Sequence, residues 1–426
     1  MSIKNKKKIV IIGGGFAGIN LMRSLADQDE FIITLVDKNN YNFFPPLIYQ
    51  VATGFLEPSS ISYPFRKLIR KYKNVHFWLG EFQEVDPDKN KVILSTGELS
   101  YDYLVLATGT VTNYFGMENV SNNAIPMKTL ENALNMRNFL LQQMEKASRS
   151  QDEQEQKELL SIVIAGGGPT GVEVAGMLAE MKHSIFTKEY PELSHLLNEN
   201  NLFLVDGASA LLSPMSEKSQ QYTYKSLVDL GVTVKLNMQV TDFDGTQVLF
   251  KDGSLIETQN LIWAAGVTGQ VFPGIPENCY GKGKRLLVDQ YNCIRGFQNI
   301  YAIGDISLQQ TDPGFPNGHP QLAQVAIQQG TRLATNLCAA VTHKPLKAFV
   351  YNDKGSMAIV GRNKAVADIS DKMHFNGNFA WLMWIFVHLM SLINYRNRIK
   401  TWFNWSVAYM THDQSLRFII NSKNRN

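Results

Sequence analysis

Cysteine is scarce in this chain of 426 residues. Cys279, Cys293 and Cys338 form no CxxC pair and no cluster with metal-ligand spacing. That argues against a disulfide scaffold, a dithiol redox centre and a structural zinc site, and no metal is expected. An excess of either charge is missing too. Lys and Arg number 41 against 38 Asp and Glu, a balance that speaks against a nucleic-acid binder. Charged residues make up only 19% and hydrophobic ones 44%, so the chain is not disordered. At a length near three domains of ~150 residues, it reads as a multidomain globular protein with a large buried core.

The balanced total hides an asymmetry. Lys4, Lys6, Lys7 and Lys8 make the first eight residues +4. Arg396, Arg398, Lys400, Arg417, Lys423 and Arg425 against Asp413 make residues 396–426 +5. With +3 overall and +9 at the ends, the body carries −6. The lysines at the start lead into only four apolar residues, Ile9–Ile12, before glycines, which is too short for a secretory signal. Ile9–Ile12 reads as a first buried strand, and the protein is expected to stay in the cytoplasm.

One unit occurs twice. Ile9–Ile12 runs into Gly13-Gly14-Gly15-Phe16-Ala17-Gly18, then an apolar-periodic helix, then a strand, Phe31–Val36, ending at Asp37. Ile162–Ala165 runs into Gly166-Gly167-Gly168-Pro169-Thr170-Gly171, a helix, and a strand, Leu202–Val205, ending at Asp206. Each copy continues into a hairpin, Val92–Leu99 or Val248–Leu255. A strand ending in small residues then follows, Leu104–Gly109 or Leu261–Gly266. Four landmarks in one order point to two copies of a dinucleotide-binding fold, an α/β architecture of two Rossmann-like domains.

The chemistry explains the residue types. A pyrophosphate binds where backbone N–H groups and the positive end of a helix dipole converge. The chain must therefore turn tightly and approach the phosphates with no Cβ in the way, which Gly13, Gly15 and Gly18 allow in one copy and Gly166, Gly168 and Gly171 in the other. Asp37 at the strand end is placed to accept ribose hydroxyls. Asp206 lies 40 residues past Gly166, twice the usual ~20, with Lys182–Asn201 as the excess. A carboxylate there favours NADH over NADPH; a plain turn residue before Gly207 is the other reading. A third apolar strand ends in Gly304-Asp305 and precedes a long helix. The second copy is thus expected to be inserted between two parts of the first domain: 1–115 and 291–342 around 116–290, with 343–426 as a C-terminal region.

Several stretches resemble one family, the type II NADH:quinone oxidoreductases, within the flavoproteins related to pyridine-nucleotide disulfide reductases. They are the two glycine turns, Asn42–Gly54, Gly166–Glu173 and Ala323–Gly330. The resemblance implies an enzyme that transfers hydride from NADH to FAD and reduces a membrane quinone by two electrons without proton pumping. It places FAD on Gly13, Gly15, Phe16, Ala17, Gly18, Asp37, Lys38, Phe82, Thr108, Gly109, Gly304, Asp305, Leu322 and Ala323. It places NADH on Gly168, Pro169, Thr170, Gly171, Asp206, Ala265 and Gly266. Glu173 would position the nicotinamide or relay a proton; as a plain residue it would complement the helix dipole. Gln324 and Gln328, spaced i, i+4, share a helix face and would donate to a quinone; otherwise they bond backbone. The family has Glu where this chain has Asp206, and it often forms homodimers.

Quinones dissolve in lipid, so a membrane-facing element is expected. Phe379–Tyr395 is the most apolar stretch, and as one helix its 17 residues reach ~25 Å, short of a ~30 Å hydrocarbon core. His388, Ser391 and Asn394 would form a narrow polar stripe. Trp402, Phe403, Trp405 and basic residues follow. This fits a helix lying in the interface on the cytoplasmic face of the cell membrane, with a soluble core helix or a true span as the other readings. A soluble FAD-dependent NADH reductase of a small electron-transfer protein is the alternative function, and a non-enzymatic NADH sensor stands further off.

Overall fold

A computed structural model describes residues 6–370, 373–411 and 417–419. Lys4, Asp413, Lys423 and Arg425 lie outside the described residues. Five helices matter below: α1 (Phe16–Leu25), α2 (Pro169–Met181), α3 (Ala323–Val341), α4 (Gly377–Ser391) and α5 (Tyr395–Thr411). The chain divides into two compact units.

The first unit comprises residues 1–43, 63–111 and 267–353. Its five-stranded parallel sheet runs Ile300–Ala302, Tyr103–Leu106, Lys7–Ile12, Phe31–Asp37, Val75–Leu79. Lys7–Ile12 is central, and Ile9–Ile12 are 0–4% exposed, as a β-branched run covered on both faces should be. The expected hairpin forms within an antiparallel sheet, Lys91 pairing Ser100 and Leu94 pairing Gly97.

The second unit comprises 44–62, 112–266 and Lys354 onward. Its parallel sheet repeats the plan in the order Ile125–Pro126, Asn260–Trp263, Ile162–Ala165, Leu202–Val205, Thr233–Lys235. The second hairpin pairs Gln247 with Glu257 and Leu249 with Leu255. The excess segment 182–201 is a string of short helical turns, so the sheet order is undisturbed.

The borders differ from those read off the sequence. Residues 267–290 pack with the first unit, because Phe272, Ile275, Cys279, Leu286 and Val288 share one core with Val10, Leu104 and Ile300. Residues 44–62 belong with the second unit, where Gln50 accepts the indole N–H of Trp405 at 2.7 Å. The C-terminal region is no separate body either. Residues up to Asp353 stay with the first unit, and the antiparallel strands Ser356–Gly361, Lys364–Ser370 and Met373–Asn376 join the second.

The apolar stretch 379–395 is also not one helix. α4 stops at Ser391, and Asn394 begins a new helix by accepting the amide hydrogen of Asn397 at 3.1 Å. The polar stripe serves its own backbone: His388 Nδ1 bonds Trp384 O at 2.8 Å and Ser391 Oγ bonds Val387 O at 2.6 Å. α5 buries Asn397, Thr401 and Trp405, one face at i, i+4, i+8 spacing. Asn397 Nδ2 donates to Ser62 O at 3.0 Å and Thr401 Oγ1 to Ser60 O at 3.4 Å. Outward, Leu382, Phe386, Trp402 and Phe403 are 57–65% exposed. No helix among the described residues is long and apolar enough to cross a membrane.

Candidate active site

The two glycine turns are built alike. Gly13 has φ +106° and Gly166 φ +115°, a region in which side chains are strained. A Cβ on Gly18 would lie 1.9 Å from the Gly13 carbonyl oxygen, and one on Gly171 1.8 Å from that of Gly166. The third glycine of each motif therefore lets the helix close onto its own turn. A Cβ on Gly13 would also meet Ala107 O at 2.3 Å, and one on Gly166 would meet Ala264 O at 2.5 Å. The small-residue strand ends thus seat the turns.

The middle glycines behave differently. A Cβ on Gly15 or Gly168 would meet nothing within 4 Å, and no side chain caps α1 or α2. Open space beside an uncapped helix N-terminus is what a pyrophosphate needs. The residues present fit two dinucleotides, one at α1 and one at α2.

Each strand-end acid grips its turn. Asp37 accepts the amide hydrogens of Gly14 at 2.7 Å and Asn39 at 2.8 Å. Asp206 does the same for Gly167 and for Ala208, the latter at 2.6 Å. Burial pushes the Asp37 carboxyl up, and the Asn39 and Gly14 amides hold it back. Each carboxylate oxygen keeps a lone pair for a ribose hydroxyl.

The Gly304-Asp305 turn is fixed by α3. Gly304 has φ +74°, and its N–H donates to Gln329 Oε1 at 2.7 Å. Gln329 is fully buried and also meets the Ser307 hydroxyl at 3.1 Å. Arg285 donates to Ser307 O at 2.5 Å and His319 O at 3.0 Å, tying this turn to the approach of α3. Leu322 is the N-cap residue and Ala323 the first residue of α3, with no side-chain cap, as expected of a helix end that faces a ligand.

Glu173 is the fifth residue of α2, beyond its first turn, so it is not placed to complement the helix dipole there; it is 8% exposed. Burial raises its carboxyl well above the usual range, and the Ile359 amide opposes this only in part. Burial thus favours the protonated carboxyl over the carboxylate. Tyr49, 1% exposed, is raised by burial and then by the nearby Glu173.

The other sequence-derived residues divide. Phe16, Ala17, Pro169 and Thr170 lie in the first turns of α1 and α2. Thr108 and Gly109 follow the strand that seats Gly13, and Ala265 and Gly266 follow the one that seats Gly166. Lys38 is exposed. Phe82 packs against Phe272 in a tilted pair, ring centroids 4.5 Å apart, in the core of the first unit. Gln324 opens α3 beside Ala323. Gln328 Nε2 donates to Asn352 O at 2.9 Å, and its Oε1 accepts from Asn352 N at 3.1 Å. That backbone strap is the second of the two readings given above for the amide pair.

Three residues were not singled out in the sequence. Asn42 Nδ2 donates to Gly14 O at 2.8 Å, bracing the turn from the side opposite Asp37. Gln329 and Arg285 hold the Gly304 turn. Adjacency to Gln328 in one motif was the available signal for Gln329, and the place at the head of the stretch Asn42–Gly54 was that for Asn42; Arg285 carried none, because its partners are remote in the chain.

With this geometry in view, the chain was compared with known proteins. The family model for pyridine nucleotide-disulphide oxidoreductase matches residues 7–330, and that for the NDH2 C-terminal domain matches 354–413. The chain is 35% identical over 429 residues to the type II NADH:quinone oxidoreductase NdhA of Mycobacterium tuberculosis, covering 96% of this chain and 88% of that one. To the type II NADH:quinone oxidoreductase Ndh of the same organism it is 33% identical, covering 95% and 89%. The structure of NDH2 from Plasmodium falciparum in complex with NADH shares the fold, with a TM-score of 0.88 at 21% identity over 98% of this chain and 100% of that one.

Proposed function

The chain belongs to the pyridine nucleotide-disulphide oxidoreductase family and, within it, to the type II NADH:quinone oxidoreductases, and on that premise we propose how its residues divide the work. It is an FAD-dependent NADH:quinone reductase that associates peripherally with the membrane. Bound FAD supplies the hydride acceptance from NADH and the two-electron delivery to quinone. The protein supplies binding, orientation and a proton-holding group.

The N–H groups of α1 and α2 take the two pyrophosphates, and Asp37 and Asp206 take the riboses. The uncapped start of α3 at Leu322–Ala323 would hold the flavin head, since a helix N-terminus stabilises accumulating negative charge. Glu173, held neutral by burial, hydrogen-bonds the nicotinamide side and holds a proton at its carboxyl oxygen. Gln324 meets a quinone carbonyl, and Gln328 joins it by giving up its bonds to Asn352. The exposed apolar faces of α4 and α5 support lipid contact on the cytoplasmic side of the cell membrane and give a homodimer a surface to form on. They also favour a quinone over a small electron-transfer protein as acceptor.

The observation that carries this reading is the same acid-gripped glycine turn built twice in one chain. The test is steady-state kinetics of the flavin-loaded enzyme in detergent with NADH, NADPH and two quinones. A preference for NADH and rapid quinone reduction are expected; NADH oxidation that neither quinone accelerates would overturn the proposal. Deletion of 376–426 should release the protein from membranes while a soluble dye still accepts its electrons.

A further inference from the structure

A cavity of about 560 Å³ lies inside the second unit between α2, α4 and α5. That is ample for a small ligand, for which sites run from ~300 to ~1,000 Å³. Trp381, Trp384, Trp402 and Trp405, four of the six tryptophans in the chain, line it. Neither Glu173, Gln324 nor Gln328 does, so the cavity stands apart from the electron-transfer residues.

Its wall recognises hydrocarbon. The indole of Trp405 donates to Gln50 Oε1 at 2.7 Å, and Gln50 Nε2 donates to the Tyr49 hydroxyl at 2.9 Å, so these amphipathic groups are occupied with one another. Leu382, Trp402 and Met410 line the cavity and are also 57%, 57% and 75% exposed. The mouth therefore opens on the apolar outer face of α4 and α5, and what enters comes from the same phase that face touches.

Polar groups gather at one place. Arg362 lies over the Tyr409 ring at 4.1 Å and donates to Tyr409 O at 2.7 Å. Its amide hydrogen goes to the Glu180 carboxylate. Glu180, His183 and Ser184 line the cavity as well, whereas Arg396, Arg398 and Lys400 of α5 do not. Trp384, 1% exposed, has an indole N–H with no acceptor among the described residues.

We propose that this cavity binds one membrane phospholipid with an anionic headgroup. An acyl chain lies between the tryptophans, and the phosphate sits on Arg362, whose planar fork suits it. The bound lipid anchors α4 and α5 as a fixed part of the enzyme. A loosely touched bilayer would not do so.

The experiment is native mass spectrometry of the flavin-loaded enzyme, stripped of lipid in detergent and titrated with phosphatidylglycerol, phosphatidylcholine, inorganic phosphate or a long-tailed quinone. One phosphatidylglycerol per chain should be retained. Ala408→Trp, which fills the cavity, should weaken retention about tenfold or more, with flavin content and dye-linked NADH oxidation unchanged. Arg362→Gln should keep lipid binding but lose the preference for phosphatidylglycerol over phosphatidylcholine. Equal retention by Ala408→Trp would overturn the proposal. Displacement of the lipid by stoichiometric quinone would do so too, and would give the cavity to the substrate tail. Either failure leaves the oxidoreductase reading intact, since that reading stands on quinone turnover.

Discussion

The carboxylate of Asp37 accepts the amide hydrogen of Gly14 at 2.7 Å. The acid proposed for the ribose therefore also shapes the turn proposed for the phosphates, with Asn39 N–H on its other oxygen. Asp37→Asn keeps one oxygen and turns an NH2 group toward a backbone donor. A lost bond with an unmatched buried donor costs ~1–3 kcal/mol. FAD affinity, measured by flavin fluorescence on dilution, should fall about tenfold or more. Asp206→Asn should leave flavin retention alone and raise KM for NADH. If Asp206→Asn released flavin as readily as Asp37→Asn, the assignment of the two turns to two nucleotides would be wrong.

Glu173 makes stability depend on pH with a definite sign. Its folded carboxyl is raised well above the usual range by burial, whereas the unfolded group ionises near ~4.3. The native state thus holds a proton the unfolded state has lost, and stability is full below the unfolded pKa and declines as pH rises toward the folded one. Glu173→Gln removes this dependence, so its melting temperature should gain on wild type as pH is raised above the unfolded value. The amide mimics the neutral acid in shape but gives up no proton. Flavin reduction by NADH in stopped flow should change little while quinone turnover falls about 10²-fold. Equal loss in both steps would make Glu173 a positioning group alone.

Much of this site was readable because its determinants are local. Gly13, Gly15 and Gly18 and their counterparts act within one turn, and Asp37 and Asp206 lie at the next strand end, so spacing alone exposed them. What escaped depends on contacts between remote segments. Nothing near Phe272 announces that it packs on Phe82 and draws residues 267–290 into the first unit. Nothing near Gln50 announces Trp405. The apolar run 379–395 reads as one helix because hydropathy does not register that Asn394 caps a new one. Gln328 and Gln329 are adjacent letters with separate tasks, and only the fold shows that Gln329 points inward to Gly304.

His388 gives the C-terminal helices an acid limit. It stacks on Trp384 at 4.0 Å and donates from Nδ1 to the Trp384 carbonyl. Burial pushes its pKa down to about 4, with the Trp384 bond acting in the opposite direction. The unfolded ring titrates near ~6.5, so the stability of this region should be full above ~6.5 and decline as pH falls toward 4. Intrinsic tryptophan emission from the Trp384 region should report loosening over that interval. In His388→Phe, which keeps the stack, the emission should be flat with pH; an unchanged acid transition there would clear His388 of the effect.

Gln328 and Gln329 separate substrate contact from scaffold. Gln329→Leu deprives the Gly304 N–H of its buried acceptor and the Ser307 hydroxyl of a partner, costing ~1–3 kcal/mol per unmatched group. That variant should lose flavin on gel filtration and melt several degrees lower, with ~2–4 °C per kcal/mol for a domain of this size. Gln328→Ala instead frees the Asn352 backbone, which lies near solvent and can turn to water, so the melting temperature should hardly move. Its quinone KM should rise while stopped-flow reduction of the flavin by NADH stays as in wild type. If Gln328→Ala slowed both half-reactions equally and lowered the melting temperature, the strap to Asn352 would be its whole function and Gln324 alone would remain for the quinone.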